Sequence, residues 1–251
     1  MTNKTFEEIF EELARHNDRS VIWNNWLEYV IEINQVNHNG KKTNFHNNEE
    51  TYIDLMEAWL NELNTKLETE PYYDILGHFY EELVQSKAKG KSLGQVYTPQ
   101  SVTKLLSEIA IEDQFTTSDN LAYDPTCGSS RTLLSAHVES KGDLICIGQD
   151  IDLTSCHMSV LNFFSHGVRG SILHMDTIEE KFYQGWRINK YLYHGIPVPH
   201  IEEIHSVAEA FDFIELKNKP SRVIENYDNN NEADKEVVIP AAKQTGQTTL
   251  I

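Results

Sequence analysis

The chain has 251 residues, of which 39% are hydrophobic and 24% are charged, and its formal net charge at pH 7 is −18. This composition fits a soluble globular protein with a substantial core, and no apolar run is long enough to cross a bilayer. The sequence has no basic stripe of the kind that neutralises phosphates in proteins that hold duplex DNA by themselves. We therefore expect any DNA contact to go through a partner subunit, or the acidic chain to meet a basic protein surface instead.

The N-terminus and the cysteines bear on the compartment and on metal binding. The first ten residues, MTNKTFEEIF, lack the basic flank and apolar core of a signal peptide, so we predict a cytoplasmic protein. Cys127, Cys146 and Cys156 lack metal-ligand spacing and are expected to be reduced thiols. The 11 histidines are scattered along the sequence, so no metal site is predicted.

The first third of the chain predicts helices. Apolar and aromatic residues recur at helical spacing in residues 5–36, 50–67 and 73–84, with Ser20 as the expected N-cap of a second helix within the first of these segments. Aromatic residues at this spacing are typical of a packed core and much less so of a ligand cage. Residues 1–90 are therefore predicted to form a helical N-terminal region.

Strands alternate with helices in the next part of the chain, residues 91–222. The strands are predicted at Leu121–Asp124, Leu144–Gln149 and Ser171–Met175. A helix before the first strand is expected to turn four apolar residues towards the core, namely Val102, Leu105, Leu106 and Ile109. The alternation predicts an α/β fold with a mainly parallel sheet and crossover helices.

An aspartate follows each predicted strand. Ligands of parallel sheets bind outside the carboxyl ends of the strands, so we expect Asp124, Asp150 and Asp176 around one crevice. The small-residue turn Thr126–Ser130 lets backbone N–H groups approach a ligand, and its pattern is not the G-x-G-x-x-G of dinucleotide sites. A cofactor without a pyrophosphate is therefore favoured. Taken singly, each aspartate could equally be a helix N-cap, and Asp152 in particular could cap the helix that follows it.

Four motifs carry a resemblance to a known family. They are GQVYTP at residues 94–99, LAYDPTCGSS at 121–130, GQD at 148–150 and HMDT at 174–177. Their order and spacing resemble the adenine-N6 DNA methyltransferases, specifically the modification subunits of type I restriction systems. The resemblance covers roughly residues 72–177 and implies a class I, Rossmann-like methyltransferase that uses S-adenosylmethionine.

The chemistry of this cofactor assigns a role to each candidate residue. A backbone turn and an acid suit its amino-acid end, an acid after the second strand suits the ribose diol, and an acid after the third suits the adenine amine. The first group comprises Asp124, Thr126 and Gly128, the second is Asp150, with Asp152 less favoured, and the third is Asp176. Tyr97, Thr98 and Pro99 match the stretch that packs on the methionine side in the family.

Two departures from the family pattern bear on activity. Ser130 stands where the family has a glycine, the residue that most readily adopts a positive φ. The family also carries an Asn/Asp/Ser-Pro-Pro-aromatic loop after its fourth strand, which holds the flipped adenine. Residues 211–216 are the nearest fourth-strand candidate, but KNKP follows them and the sequence contains no Pro-Pro pair. The catalytic residues are therefore unknown, and a long insertion separates Asp176 from Phe211.

The end of the sequence changes character. Residues 223–251 are predicted to be a flexible acidic tail with an apolar end. Gln247–Ile251 resembles the short peptides that bind bacterial sliding clamps, and an ordinary frayed terminus is the alternative. No target recognition domain follows the predicted sheet, so sequence-specific reading of DNA would come from another polypeptide.

Two functional hypotheses follow. In the first, the chain is a divergent, site-specific DNA adenine-N6 methyltransferase or the catalytic-type subunit of one, which the motif set favours. In the second, it is a non-catalytic, methyltransferase-like protein that acts by binding a sliding clamp or a restriction or replication partner. The acidic balance, the missing loop and the clamp-like end favour this second hypothesis.

Overall fold

The computed structural model describes residues 4–35, 48–85, 98–112, 121–193, 196–211 and 247–249. The helices are α1 (Phe6–Ala14), α2 (Arg19–Ile33), α3 (Glu49–Leu67), α4 (Ile75–Phe79), α5 (Gln100–Glu112), α6 (Arg131–Glu139), α7 (Leu153–His166) and α8 (Val207–Ala210). A π-helical segment, Tyr80–Gln85, continues α4. The strands are β1 (Leu121–Asp124), β2 (Ile145–Asp150), β3 (Gly170–Asp176), β4 (Lys181–Ile188), β5 (Leu192–Tyr193), β6 (Ile196–Pro197), β7 (Ile201–Ile204) and β8 (Gln247–Thr249).

Side-chain caps set the start of the first two helices. Thr5 and Glu8 form a capping box at α1, in which each side chain accepts a hydrogen bond from the backbone of the other. Asp18 caps α2, because its carboxylate accepts from the backbone N–H groups of Ser20 and Val21 at 2.9 and 3.2 Å. The prediction of Ser20 as the cap was wrong, and the negative charge of Asp18 also suits the positive end of the helix dipole.

The aromatic residues of the N-terminal helices form a buried core, as predicted. Phe6 stacks on Phe79 with ring centroids 4.3 Å apart and meets Trp26 edge-on at 5.1 Å. Trp26 in turn meets Trp59 edge-on at 5.9 Å. This core is continuous with the apolar residues beneath the sheet, and α2 packs directly on α7. The helical layer and the sheet therefore share one packed interior.

The main sheet has the strand order β7-β4-β3-β2-β1-β8. β8, β1, β2 and β3 run parallel, while β4 and β7 run antiparallel to their neighbours. This confirms the predicted α/β fold with a mainly parallel sheet. The insertion after Asp176 provides β4 and β7, which extend the sheet at the β3 side. Pro197 lies in the short strand β6, which pairs with β5.

The orientation of α5 differs from the prediction. Thr103 and Ser107 are fully buried, whereas Val102, Leu105 and Leu106 are 43%, 56% and 42% exposed. α5 packs against α6, and both buried hydroxyls have hydrogen-bond partners. Tyr72 Oη lies 3.0 Å from Thr103 Oγ1, and Ser107 Oγ donates to the Thr103 carbonyl at 2.8 Å. The predicted inward apolar face was therefore wrong for these three residues, and the Ile109 side chain lies outside the described part.

Two further predictions meet the limits of the described residues. Gln247–Thr249, expected in a flexible tail, forms β8 beside β1. Of the expected fourth strand, residues 211–216, only Phe211 is described, and it ends α8. In the described part of the chain, no helix combines the length and the apolar character needed to cross a membrane.

His157 on α7 is a buried histidine whose ring meets Trp186 edge-on, with centroids 5.2 Å apart. Burial lowers the pKa of His157 to about 4. The unfolded chain takes up this proton near pH 6.5, so between pH 6.5 and 4 it binds more protons than the folded chain at this position. The free energy of unfolding should therefore fall as the pH drops through this window.

We predict that His157→Phe reduces this acid sensitivity. Phenylalanine keeps an aromatic ring against Trp186 but cannot take up a proton, so about 2 kcal/mol of the stability lost between pH 7 and 4.5 should disappear. Urea unfolding at the two pH values measures the difference. His78→Gln, at a partly exposed position, serves as the control, and equal acid sensitivity of the His157 variant and the native chain would contradict the prediction.

Candidate functional site

The turn between β1 and α6 is held by the ends of two strands. Thr126 N donates to Asp124 Oδ1 at 3.0 Å. Cys127 N donates to the Gln149 carbonyl at 2.8 Å, and Gly128 N donates to Asp150 Oδ2 at 2.8 Å. Gly128 has a φ of +56°, so the chain reverses here through a conformation that glycine adopts readily. The turn is thus fastened to the carboxyl ends of both β1 and β2.

Asp124 and Asp150 come close together at this edge of the sheet. Burial raises the pKa of Asp124, and the negative charge of Asp150 raises it further. Burial likewise raises the pKa of Asp150. Within the described residues, the hydrogen bond from Thr126 N is the one that Asp124 accepts, so its second oxygen remains able to accept from a ligand.

Asp176 lies at the end of the neighbouring strand β3. Its Oδ1 accepts from Ile178 N at 2.9 Å and from Glu179 N at 3.0 Å, which forms a tight turn of its own. Thr177 Oγ1 donates to the Pro125 carbonyl at 3.1 Å and so connects the end of β3 to the β1 turn. The three aspartates therefore occupy the carboxyl ends of three adjacent parallel strands.

Asp152, the less favoured ribose candidate, is an N-cap in the structure. Its Oδ2 accepts from Ser155 N at 2.9 Å at the start of α7. Its own N–H donates to Asp150 Oδ1 at 2.9 Å. Asp152 thereby supports the position of Asp150, and its carboxylate is used by the helix.

Ser130 occupies the position of the family's last glycine and adopts the backbone conformation that glycine would adopt there. It adopts a φ of +65°, in the left-handed region that costs a non-glycine residue about 1 kcal/mol. Its side chain is fully buried and points to α7, where Ser130 Oγ donates to Ser159 Oγ at 2.8 Å. Ser159 Oγ then donates to the Gly128 carbonyl at 2.7 Å. The serine thus joins the turn to α7 and leaves the edge formed by the strand ends clear.

The sequence reasoning missed Asp74, which is only 3% exposed. It caps α4 by accepting from Gly77 N at 2.8 Å, and it also accepts from Ser129 Oγ at 2.6 Å. Arg131 Nε donates to it at 2.9 Å and Asn162 Nδ2 at 2.8 Å. One carboxylate of the N-terminal helices therefore holds the turn, the start of α6 and the middle of α7 together.

Arg131 extends this network to the YTP stretch. One terminal nitrogen of its guanidinium donates to the Thr98 carbonyl at 2.9 Å. Thr98 and Pro99 are both exposed and lie directly before α5. Two of the three residues predicted on the methionine side therefore lie beside the turn, while Tyr97 is outside the described residues.

Three further residues of the candidate site lie next to the predicted acids. Gln149 Oε1 accepts from Tyr123 Oη at 2.7 Å and from Thr177 Oγ1 at 3.3 Å, which ties together the ends of β1, β2 and β3. Ile151 and Ile178 are 62% and 94% exposed, although isoleucine favours the core. Both follow a strand-end acid within two residues. An isoleucine one or two positions after a strand-end acid was the sequence signal that could have identified Ile151 and Ile178.

The comparison with protein families shows to which family the chain belongs. A profile of the family described as N-6 DNA methylase matches residues 72–220, more than half of the chain. The chain belongs to the N-6 DNA methylase family. This confirms the relationship predicted from the four motifs, and S-adenosylmethionine is the cofactor that this membership implies.

Individual relatives of this chain are methylase subunits by name. The type I restriction enzyme MpnII methylase subunit of Mycoplasma pneumoniae is 30% identical over 171 residues, which are 64% of this chain and 30% of the relative. The MjaIX methylase subunit of Methanocaldococcus jannaschii is 31% identical over 118 residues, or 43% of this chain and 20% of the relative. The chain thus matches less than a third of the length of either protein.

A solved structure also resembles this chain. It is the type I restriction-modification methyltransferase subunit of Streptococcus thermophilus, with a TM-score of 0.34 and 22% identity. The likeness covers 70% of this chain and 41% of that one.

We predict that Asp74→Asn destabilises the chain by about 3 kcal/mol. The change removes the buried negative charge 2.9 Å from Arg131 Nε and presents an amide group to four hydrogen-bond donors. Urea unfolding measures the loss. Asp143→Asn makes the same chemical change at an exposed position and should cost less than about 0.5 kcal/mol. Equal free energies of unfolding for the two variants would show that the Asp74 network does not contribute this stability.

Proposed function

We propose that this chain binds S-adenosylmethionine at the ends of β1, β2 and β3 and forms the cofactor-binding half of a DNA adenine-N6 methyltransferase. One observation carries the proposal: two carboxylates with raised pKa, Asp124 and Asp150, flank a turn whose backbone is pinned to both of them. Family membership supplies the reaction class. The geometry supports a site for a ligand that brings hydrogen-bond donors.

The donor and acceptor chemistry of the site fits this cofactor. The free oxygen of Asp124 suits the ammonium of the amino-acid end, next to the backbone of Thr126 and Gly128. Asp150 Oδ2 accepts from Gly128 N at 2.8 Å and Oδ1 from Asp152 N at 2.9 Å, and the carboxylate keeps acceptor capacity for the ribose diol. Asp176 Oδ2 can accept from the adenine amine, since Oδ1 serves its own turn.

The rim of the site suits the flat adenine ring. Ile151 and Ile178 expose apolar side chains next to Asp150 and Asp176. Burying such side chains against a ring removes apolar surface from water, at about 25 cal/mol per Å². We assign to them the contact with the two faces of the adenine, and to Thr98 and Pro99 the contact with the methionine side.

The reaction also needs parts that the described residues do not provide. S-adenosylmethionine supplies an electrophilic methyl group, and the target amine needs acceptors for its hydrogens and a ring to stack the flipped base. No Pro-Pro pair occurs in the sequence, and a net charge of −18 opposes binding to the negatively charged DNA backbone. We therefore place DNA binding and base positioning on a partner; the MpnII relative is by name one subunit of a restriction enzyme.

A protein-binding role without catalysis is the second candidate. It is favoured by the exposed apolar residues of α5 and by the missing loop. A clamp-binding role for Gln247–Ile251 stays a prediction, and the pairing of Gln247–Thr249 with β1 competes with it, since a clamp would have to detach this strand. A different outcome is possible in a methyl-transfer assay with tritiated S-adenosylmethionine. If the chain alone methylates unmodified DNA, and Asp124→Asn abolishes this activity, the chain is a complete methyltransferase.

We predict that S-adenosylmethionine binding, followed by titration calorimetry, weakens at least tenfold in Asp124→Asn and in Asp150→Asn. Each change removes a charge-assisted acceptor, which contributes about 1.5–3 kcal/mol. Asp143→Asn is the exposed control and should bind like the native chain. Native affinity in both site variants would rule out this placement of the cofactor.

The same experiment at several pH values tests the electrostatics. Burial raises the pKa of both carboxyl groups, and a ligand that donates hydrogen bonds favours the ionised form. Cofactor affinity should therefore fall as the pH is lowered, and the fall should begin at a higher pH than the protonation of an exposed aspartate. An affinity that falls only where an exposed aspartate protonates would contradict the role of the two acids.

A further inference from the structure

Arg131 joins the N-terminal helices to the candidate site through its guanidinium. Its Nε donates to Asp74 Oδ2 at 2.9 Å, and its Nη2 lies 3.6 Å from Glu81 Oε2. Its Nη1 donates to the Thr98 carbonyl at 2.9 Å. All three nitrogens thus have protein partners, so the side chain of Arg131 is placed to hold other residues in position and not to bind a ligand itself.

The partners of Arg131 come from separate parts of the chain. Asp74 caps α4, Glu81 lies in the π-helical segment that continues α4, and Thr98 lies directly before α5. Arg131 itself is the first residue of α6, next to the turn of the candidate site. A guanidinium presents its donors in a rigid planar fork, so the partners of Arg131 are held at fixed positions relative to one another.

The contact with Asp74 anchors this fork. The Asp74 side chain is 1% exposed and that of Arg131 is 12% exposed. Charge-assisted hydrogen bonds are strong where water is excluded, and moving Arg131 away would separate two opposite charges, one of them buried. The position of the guanidinium, and with it the bond to the Thr98 carbonyl, is therefore set by the N-terminal helices.

The start of α5 follows directly from the carbonyl that Arg131 holds. The next carbonyl, that of Pro99, accepts from Val102 N at 2.9 Å and from Thr103 N at 3.1 Å, which forms the first turn of the helix. Tyr72 Oη lies 3.0 Å from Thr103 Oγ1 and adds a second link from the N-terminal region to α5. The residues before α5 are thus held from the N-terminal side.

The acids assigned to the rest of the cofactor are held in a different way. The carboxylate of Asp150 accepts from backbone N–H groups of Gly128 and Asp152. The carboxylate of Asp176 accepts from the backbone of its own turn. The arginine fork therefore acts on the amino-acid side of the proposed cofactor site, while backbone groups of the strand-end turns hold the ribose and adenine sides.

We propose that Arg131 is a positioning residue for the amino-acid end of the cofactor. By holding Thr98 and Pro99 beside the turn, Arg131 makes the affinity for the amino-acid group, and not the affinity for the adenosine part, depend on the N-terminal helices. The proposal rests on the proposed function, because it deepens the assignment of Thr98 and Pro99 to the methionine side.

Arg131→Lys tests this role, because lysine keeps a positive charge beside Asp74 but has one nitrogen in place of the fork. Calorimetry on the full chain measures the binding of S-adenosylhomocysteine, which has the amino-acid end, and of 5′-methylthioadenosine, which lacks it. Neither ligand carries the sulfonium charge, so their difference isolates the amino-acid group. The variant should bind S-adenosylhomocysteine at least fivefold more weakly and 5′-methylthioadenosine within twofold of the native chain.

Arg187→Lys is the matched control. Arg187 is 5% exposed, its Nε and Nη2 both lie 2.9 Å from Glu202 Oε2, and its Nη1 donates to the Glu209 carbonyl at 3.3 Å. The change therefore breaks a buried fork of the same kind. Arg187 is paired with Ser171 near the start of β3, whereas the candidate site lies at the end of that strand. Both ligands should bind this variant within twofold of the native chain.

Hydrogen exchange shows whether Arg131 acts through the start of α5. The amide of Thr103 should exchange at least fivefold faster in Arg131→Lys than in Arg187→Lys. The amide of Leu134, which donates to the Ser130 carbonyl at 2.9 Å, reports on the turn and should exchange equally in both variants. Equal acceleration of the two amides in Arg131→Lys would mean that the substitution acts through the turn, and this would overturn the proposal.

The ligand measurements separate this proposal from the proposed function. Asp150→Asn should weaken both ligands, because the ribose is common to them. Unchanged binding of S-adenosylhomocysteine to Arg131→Lys, or equal weakening of both ligands, refutes the role of Arg131 and leaves the proposed function standing. A native chain that binds neither ligand refutes the proposed function, and with it the role of Arg131.

Discussion

The turn between β1 and α6 depends on the contacts of one buried carboxylate, Asp74. A charge at 3% exposure costs several kcal/mol unless it is paired and fully hydrogen-bonded, and Asp74 meets both conditions through Arg131, Ser129, Asn162 and Gly77. The packing is close, because a Cβ on Gly77 would lie 2.2 Å from the Asp74 carboxylate. The N-terminal helices are therefore a structural part of the site, since they fix the turn that faces the strand ends.

On the opposite side of the same turn, Asp124 and Asp150 are less well compensated than Asp74. Burial raises the pKa of Asp124 and Asp150, so their ionisation opposes folding, and the stability of the chain without ligand falls as the pH rises through those pKa values. Gly128 and Ser130 hold positive φ angles, which the bonds to Asp150 and Ser159 stabilise. The turn is thus rigid before a ligand arrives, and a ligand with donor groups would remove the electrostatic cost.

Local patterns predicted β1, β2, β3, α7 and the strand-end acids, because each depends on residues that are near in sequence. Asp74 could not be predicted, since its partners Ser129, Arg131 and Asn162 lie 55 to 88 positions away. The cap of α2 failed for a local reason, as Asp18 and Ser20 are both good caps two residues apart. The periodicity of α5 showed which residues share a face, but the direction of that face depends on which neighbour packs closest.

The direction chosen by α5 connects these observations. A helix normally buries its apolar side and leaves hydroxyls in water, since transfer of apolar surface supplies most of the folding free energy. Here Thr103 and Ser107 are buried and the leucines are exposed, which is favourable only if the polar contacts are satisfied and the apolar side has another use. The hydroxyl contacts with Tyr72 and the α5 backbone satisfy the first condition. α5 therefore packs on α6 while Val102, Leu105 and Leu106 stay exposed to solvent within the described residues.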